Sequence, residues 1–317
     1  MYAQILVAPV ALVALLSACA TPSSNLEKTT PATPPVSKPA SVPAPSAGSK
    51  STITTSFFWG CPEVSAPSEK TTQALALFQR GCDAGDGRGC VDLAQRYLCG
   101  NGVDKDMTRA AALFQRACDA NRADACDSLG MLLLQGVGGI PKDEPRGAKL
   151  CQRACDEGHV PACSNIGFFY LQGIGVPRDY AEASRYLTRA CEAGVPAGCG
   201  NLGMMYMLGA GVPRSGKEAV GFLQRACDKD YFASCSNLGI LYLEGELAPR
   251  DVPRGVLLLE QACHVKNGIA CFTLGNLYVN GIPGVDKDLP KAGAYLKTAC
   301  DVGHAQACTA LGELLSK

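Results

Sequence analysis

Arg153 to Gly167 reads RACDEGHVPACSNIG, and the fold turns on what the chain does between its two cysteines, Cys155 and Cys163. Close variants recur as RGCDAGDGRGC (80–90), RACDANRADAC (116–126), RACEAGVPAGC (189–199), RACDKDYFASC (225–235), QACHVKNGIAC (261–271) and TACDVGHAQAC (298–308). The first cysteine of each pair falls at 82, 118, 155, 191, 227, 263 and 300, in steps of 36 or 37 residues. That is the period of a solenoid built from helix pairs.

Other positions keep the same period. Three residues after each second cysteine stands Leu93, Leu129, Ile166, Leu202, Leu238, Leu274 or Leu311. The next position is Ala94 or a glycine: Gly130, Gly167, Gly203, Gly239, Gly275, Gly312. Three further on comes Tyr97, Leu133, Tyr170, Tyr206, Tyr242, Tyr278 or Leu315. Offsets of three, four and seven mark one face of a helix, here helix A, and the glycine admits a close neighbour. Helix A is expected to end at Gly100, Gly136, Gly173, Gly209, Gly245 and Gly281, where a left-handed cap costs least. Helix B precedes each first cysteine and carries Phe78, Phe114, Cys151, Leu187, Leu223, Leu259 or Leu296 four residues before it.

Eight residues along one unbroken helix would hold two cysteines about 12 Å apart, beyond disulfide reach. The chain is therefore expected to break between them. Three residues past the first cysteine comes Gly85, Asn121, Gly158, Gly194, Asp230 or Gly303, types that accept positive φ. Lys266 is the misfit of that series, and neighbouring Asn267 is expected to relieve it. Helix B then reverses into the next helix A and the sulfurs meet, pairing Cys82–Cys90, Cys118–Cys126, Cys155–Cys163, Cys191–Cys199, Cys227–Cys235, Cys263–Cys271 and Cys300–Cys308. Closing each short loop contributes about 2–3 kcal/mol in the chain-entropy model. The rival reading is zinc, but Cys-x7-Cys lacks the close Cys-x2–4-Cys spacing, and two thiols do not complete a tetrahedral site. No metal or other cofactor is expected.

Eighteen cysteines point to an oxidising compartment. The formal charge is zero, with 29 basic and 29 acidic residues and no Lys/Arg cluster, so a nucleic-acid partner is not expected. Ile5 to Leu16 is an apolar run too short to span a bilayer, and it leads into Leu16-Ser17-Ala18-Cys19. This resembles the lipobox of bacterial lipoprotein signal peptides, although MYAQ (1–4) lacks the usual positive charge. The resemblance implies that residues 1–18 are removed and that Cys19 carries the lipid anchor, with Ala20 favouring the outer membrane. Residues 20–56 are rich in Pro, Ser, Thr and Ala with no aromatic residue, and read as a disordered tether. The expected division is signal peptide 1–18, lipidated Cys19 with tether and N-terminal cap 19–66, and solenoid 67–317.

LGMMYMLGAGVPR (202–214), LGILYLEGE (238–246) and IGFFYLQGIGVPRDYAEASRYLTRACEAG (166–194) resemble the Sel1-like repeat, nearest its cysteine-rich exported bacterial branch. The match covers about residues 68–317, some six whole repeats with a leading helix B and a trailing helix A. The resemblance implies an all-α fold, a right-handed α/α superhelix related to tetratricopeptide repeats with disulfide-stapled hairpins, and a role in binding other proteins. Some cysteine-rich members have been assigned penicillin-binding or β-lactamase activity, which makes that the alternative function. The residues give it little support. No lysine has a serine three positions before it and Lys-Thr-Gly is absent. The only histidines are His159, His264 and His304, of which His159 and His304 read as exposed turn residues.

Two further expectations concern surfaces and spare thiols. In such superhelices helix A lines the concave side. Two residues after the second cysteine stand Asp92, Ser128, Asn165, Asn201, Asn237 and Thr273; three later come Gln95, Met131, Phe168, Met204, Ile240 and Asn276. Ser128, Met131, Asn165, Phe168, Asn201, Met204, Asn237 and Ile240 form the candidate groove. An amide can pair with both groups of an extended peptide, and methionines adapt to varied ligands. The competing reading has these residues pack on neighbouring A helices while the asparagines bond locally. The expected partners are protein or extended peptide segments, with the membrane reached through the lipid and the chain a monomer. Cys151 reads as a buried, inert thiol, and a Cys61–Cys99 bridge would clip an N-terminal cap onto the first repeat.

Overall fold

The computed structural model describes Cys61 and residues 68–316; the expected signal peptide, Cys19, the tether and the rest of the N-terminal cap lie outside the described residues. Fourteen α-helices make up the described residues. The B type comprises α1 (Glu69–Asp83), α3 (Met107–Asp119), α5 (Glu144–Asp156), α7 (Tyr180–Glu192), α9 (Gly216–Cys227), α11 (Val252–His264) and α13 (Leu289–Asp301). The A type comprises α2 (Gly87–Cys99), α4 (Ala123–Gln135), α6 (Val160–Gln172), α8 (Pro196–Leu208), α10 (Phe232–Glu244), α12 (Gly268–Asn280) and α14 (Ala305–Leu315). Each helix packs on its neighbours in the chain, so the fold is an all-α helix-pair solenoid.

The two helix types start and stop by different chemistry. Every B helix opens on a Ser or Asp cap whose side chain accepts a backbone N–H of the first turn: Ser68, Asp106, Asp143, Asp179, Ser215, Asp251 and Asp288. A helices end on Gly100, Gly136, Gly173, Gly209 and Gly245 in the left-handed region, and Gly281 has φ +68° with extended ψ. The turns at Gly136–Asp143 and Gly281–Asp288 each hold one more residue than the other A–B turns. They account for both 37-residue steps, and Ile282 and Val285 bridge across the second.

Between paired cysteines the chain reverses as expected. Positive φ occurs at the third residue after every first cysteine, including Asn121 at 60°, Asp230 at 59° and Lys266 at 61°. The relief expected from Asn267 does not occur. Asn267 has φ −67° and instead caps α12, its side chain accepting from the Ala270 N–H, so Lys266 itself bears the strained conformation. All seven eight-spaced pairs are disulfides with Cα separations of 4.5–4.8 Å, and Cys61 is joined to Cys99.

Packing between a helix A and the following helix B is close because the contact glycine faces a leucine. A Cβ on Gly203 would lie 2.7 Å from Leu223 Cγ, and one on Gly167 at the same distance from Leu187 Cγ. Arginines two residues before the first cysteine stitch successive repeats together. Arg116 donates to the Cys82 carbonyl at 2.8 Å, Arg153 to that of Cys118 at 3.3 Å and Arg225 to that of Cys191 at 3.1 Å. The A helices also touch one another directly, α8 with α6 and α10, and α10 with α12; no pair of B helices is as extensively in contact.

Candidate peptide-binding face of the A helices

The face in question exists because residues i, i+3 and i+7 of each helix A share one side, while the Leu-Gly-x-x-Tyr side packs on helix B. On α4, α6, α8 and α10 it carries Ser128 with Met131, Asn165 with Phe168, Asn201 with Met204, and Asn237 with Ile240. Phe168 is exposed, at 37% of its surface, whereas Met131, Met204 and Ile240 are half-buried.

The asparagines do not form the uniform open ladder that their register suggests. Asn165 Nδ2 donates to both carboxylate oxygens of Asp127, at 3.0 and 3.2 Å. Asn237 Nδ2 points at Met204 Sδ on the preceding helix A, at 3.0 Å. Ser128 and Thr273 return their hydroxyls to carbonyls in their own helices, Asp124 at 3.0 Å and Ile269 at 2.8 Å. Asn201 alone of these six positions' asparagines has no hydrogen-bond partner among the described residues. Two amides are thus turned toward neighbouring repeats with their carbonyl oxygens left to accept, and the amide between them is free at both ends.

Asp127 is the residue that sequence reasoning missed. It follows the second cysteine, where other repeats hold Val91, Ser164, Gly200, Ser236, Phe272 or Thr309. Its side chain is 13% exposed and 3.7 Å from His159 Nε2. Burial holds its carboxyl above the usual range, opposed by the bonds from Asn165 and Cys151 and by His159. Cys151 is a free, buried thiol whose ionisation is pushed up, first by burial and then by the Asp127 charge, so it is inert as a nucleophile. The anomaly of an acid in a series of small and apolar residues was the available signal.

The histidines differ from expectation. His159 and His304 are half-buried where one repeat meets the next, rather than exposed turn residues. His304 stacks on Phe272 with ring centroids 4.5 Å apart, and its lowered pKa comes first from burial. Among the described residues no group of three or more His, Cys, Asp or Glu side chains is placed to hold a metal ion. A cleft of about 970 Å³ lies elsewhere, between α11, α13 and the turn before α13. Its Lys291 is already bound to Tyr278 Oη at 2.6 Å and Glu260 at 3.3 Å.

A family model described as Sel1 repeat matches residues 68–86, 87–121, 123–159, 160–195, 196–231, 233–264 and 268–304. Among solved structures the chain is similar to c5321, a protective antigen present in uropathogenic Escherichia coli strains and displaying an SLR fold. Identity is 26%, the alignment covers 78% of this chain and 52% of that one, and the TM-score is 0.63. The chain therefore spans about half the length of that antigen. A Sel1 repeat protein from Oxalobacter formigenes aligns at 22% identity over 71% of this chain and 96% of that one, with TM-score 0.65. Helicobacter pylori cysteine rich protein B aligns at 23% identity over 43% and 98%, with TM-score 0.35. No match was found among curated proteins.

Proposed function

Because this chain belongs to the Sel1 repeat family, we propose that it is an exported, non-enzymatic scaffold whose A-helix face binds extended segments of other proteins. The observation that carries this reading is the row Phe168, Met204 and Ile240 beside Asn201, an unpaired amide with apolar neighbours that are open to solvent at least in part. Burying that row against a peptide removes apolar surface from water, and the amide gives the peptide backbone both a donor and an acceptor. A scaffold stiffened by eight disulfides presents the row without first ordering it. The same disulfides suit an oxidising compartment. With the lipobox-like LSAC, they support an outer-membrane lipoprotein held through Cys19. The test is a triple change of Asn165, Asn201 and Asn237 to Ala, compared with wild type in pull-downs of extracytoplasmic proteins. Partner capture should fall about ten-fold or more with disulfides and helical content retained, the melting temperature dropping only by the loss of the Asn165 bonds to Asp127. Undiminished capture would sink the reading, and turnover of nitrocefin by the oxidised protein would favour the β-lactam alternative.

A further inference from the structure

Beyond α2, which carries Arg88 and Arg96, the charges of the two helix layers differ sharply. α4, α6, α8, α10 and α12 contain no lysine or arginine, whereas each B helix from α3 to α13 contains at least one: Arg109, Arg146, Arg185, Lys217, Arg254, Lys291. The acids of those five A helices are Asp124, Asp127 and Glu244. Asp124 is ion-paired to Arg122 at 2.7 Å, and Asp127 faces Asn165 and His159. Glu244 stands seven residues beyond Asn237 and four beyond Ile240, so it continues the same face of α10. It is exposed at the end of the helix and has no hydrogen bond or ion pair to any described residue; partial burial of the carboxyl and the Glu246 charge hold it above the usual carboxylate range, opposed by Arg214. The nearby turn cations are committed elsewhere: Arg214 to Glu246 at 2.8 Å and the Met207 carbonyl at 3.1 Å, Arg250 to the Leu243 carbonyl at 3.1 Å.

Resting on the reading of the A-helix face as a binding groove, we propose that its ligand is an internal, extended, apolar segment carrying a lysine or arginine that pairs with Glu244. A carboxylate laid on this face gives up hydration beside Phe168, Met204 and Ile240 and meets no lysine or arginine of α4, α6, α8, α10 or α12 in return, while Arg214 near the end of α10 is already bonded to Glu246. Acidic segments and free C-termini are rejected on that ground. A basic side chain has the opposite balance. Its aliphatic stem lies on the apolar row, and its charged end reaches a carboxylate with unused acceptor positions. The peptide backbone is read at Asn201, and the side chains are sorted by charge.

The experiment is selection of random dodecapeptides displayed on phage. They are panned in parallel on the oxidised full chain, on its Asn165→Ala, Asn201→Ala, Asn237→Ala variant and on Glu244→Gln, each checked for disulfides and helicity. Peptides enriched on wild type and lost on the triple variant should carry Lys or Arg several-fold above the library frequency, with Asp and Glu depleted. On Glu244→Gln the basic excess should vanish while the apolar preference stays. Amidated synthetic peptides from the enriched set should bind about five- to ten-fold tighter with Lys than with Glu at the selected position, a gap that narrows as salt rises. Asparagine-dependent peptides that are acidic or show no charge preference would overturn this proposal and leave the groove reading standing. The absence of any asparagine-dependent enrichment would overturn both.

Discussion

Lys266 holds φ +61° in the turn where four of the seven repeats have glycine. A left-handed conformation costs a non-glycine residue about 1–2 kcal/mol, and glycine's larger unfolded-state entropy returns roughly half of that. Lys266→Gly should therefore raise stability by about 0.5–1 kcal/mol, read as a higher urea midpoint with unchanged slope. Asp127 gives the second residue-scale prediction. Its folded pKa is raised, chiefly by burial, so the folded state holds a proton that the unfolded state has released. Stability contributed by this group must fall as pH rises from the ordinary carboxylate value, about 3.9, through the raised folded value. Above that value the loss is constant. Asp127→Asn keeps an acceptor for Asn165 and removes the titration, so the melting temperature of the variant minus that of wild type should grow from pH 4 to 7; a flat difference would refute the assignment. The turn glycines and Asn121 announced their backbone in the sequence, because positive φ selects residue type. Asp127 did not announce its partners, because they belong to the next repeat and to α5, and register along one helix says nothing about them.

At the scale of the helix pair, the tightest statement concerns the contact glycines. Gly203→Ala places a methyl 2.7 Å from Leu223 Cγ and 3.1 Å from its backbone N. Overpacking of this kind costs about 1–3 kcal/mol. Gly312 occupies the same position of α14, and a Cβ there meets nothing within 4 Å. Gly312→Ala should be neutral or stabilising by up to about 1 kcal/mol, through helix propensity alone. Equal destabilisation by both changes in thermal melts would show that the close approach is not the cause. The glycine ends of the A helices, the turns and the staples were legible because the period repeats the same physical constraint and exposes each exception; the Ser and Asp caps that start the B helices were not read from it. The two 37-residue steps are a case in point, since each reports one residue added to an A–B turn. What the A face does with its amides was legible only in part. Spacing put Asn165, Asn201 and Asn237 in register, but their hydrogen bonds depend on which side chains precede them in the neighbouring helix, Asp127 for one and Met204 for another.

For the solenoid as a whole, contacts run between neighbours along the chain, and seven of the eight disulfides join cysteines that are consecutive in sequence. The exception is Cys61–Cys99, which spans 38 residues and encloses the Cys82–Cys90 bridge. That nesting sets a problem in the order of synthesis. In a chain oxidised from its N-terminus onward, Cys82 becomes available to Cys61 before Cys90 and Cys99 have emerged, so the first bond offered is a wrong one. From Cys118 onward, joining consecutive cysteines gives the native pairs, except where Cys151 precedes Cys155. Errors of pairing should thus gather in the first repeat and at Cys151, where thiol–disulfide exchange must correct them. Reoxidation of the reduced chain without an isomerase should yield mispaired species that map to Cys61, Cys82, Cys90 and Cys99 and to Cys151, Cys155 and Cys163; replacing Cys61 and Cys99 by serine should abolish the first group, and Cys151→Ser the second. The chain's need for disulfide exchange is then set at two places, the enclosing bond at its beginning and the spare thiol Cys151 beside Cys155, and the other repeats add almost nothing to it.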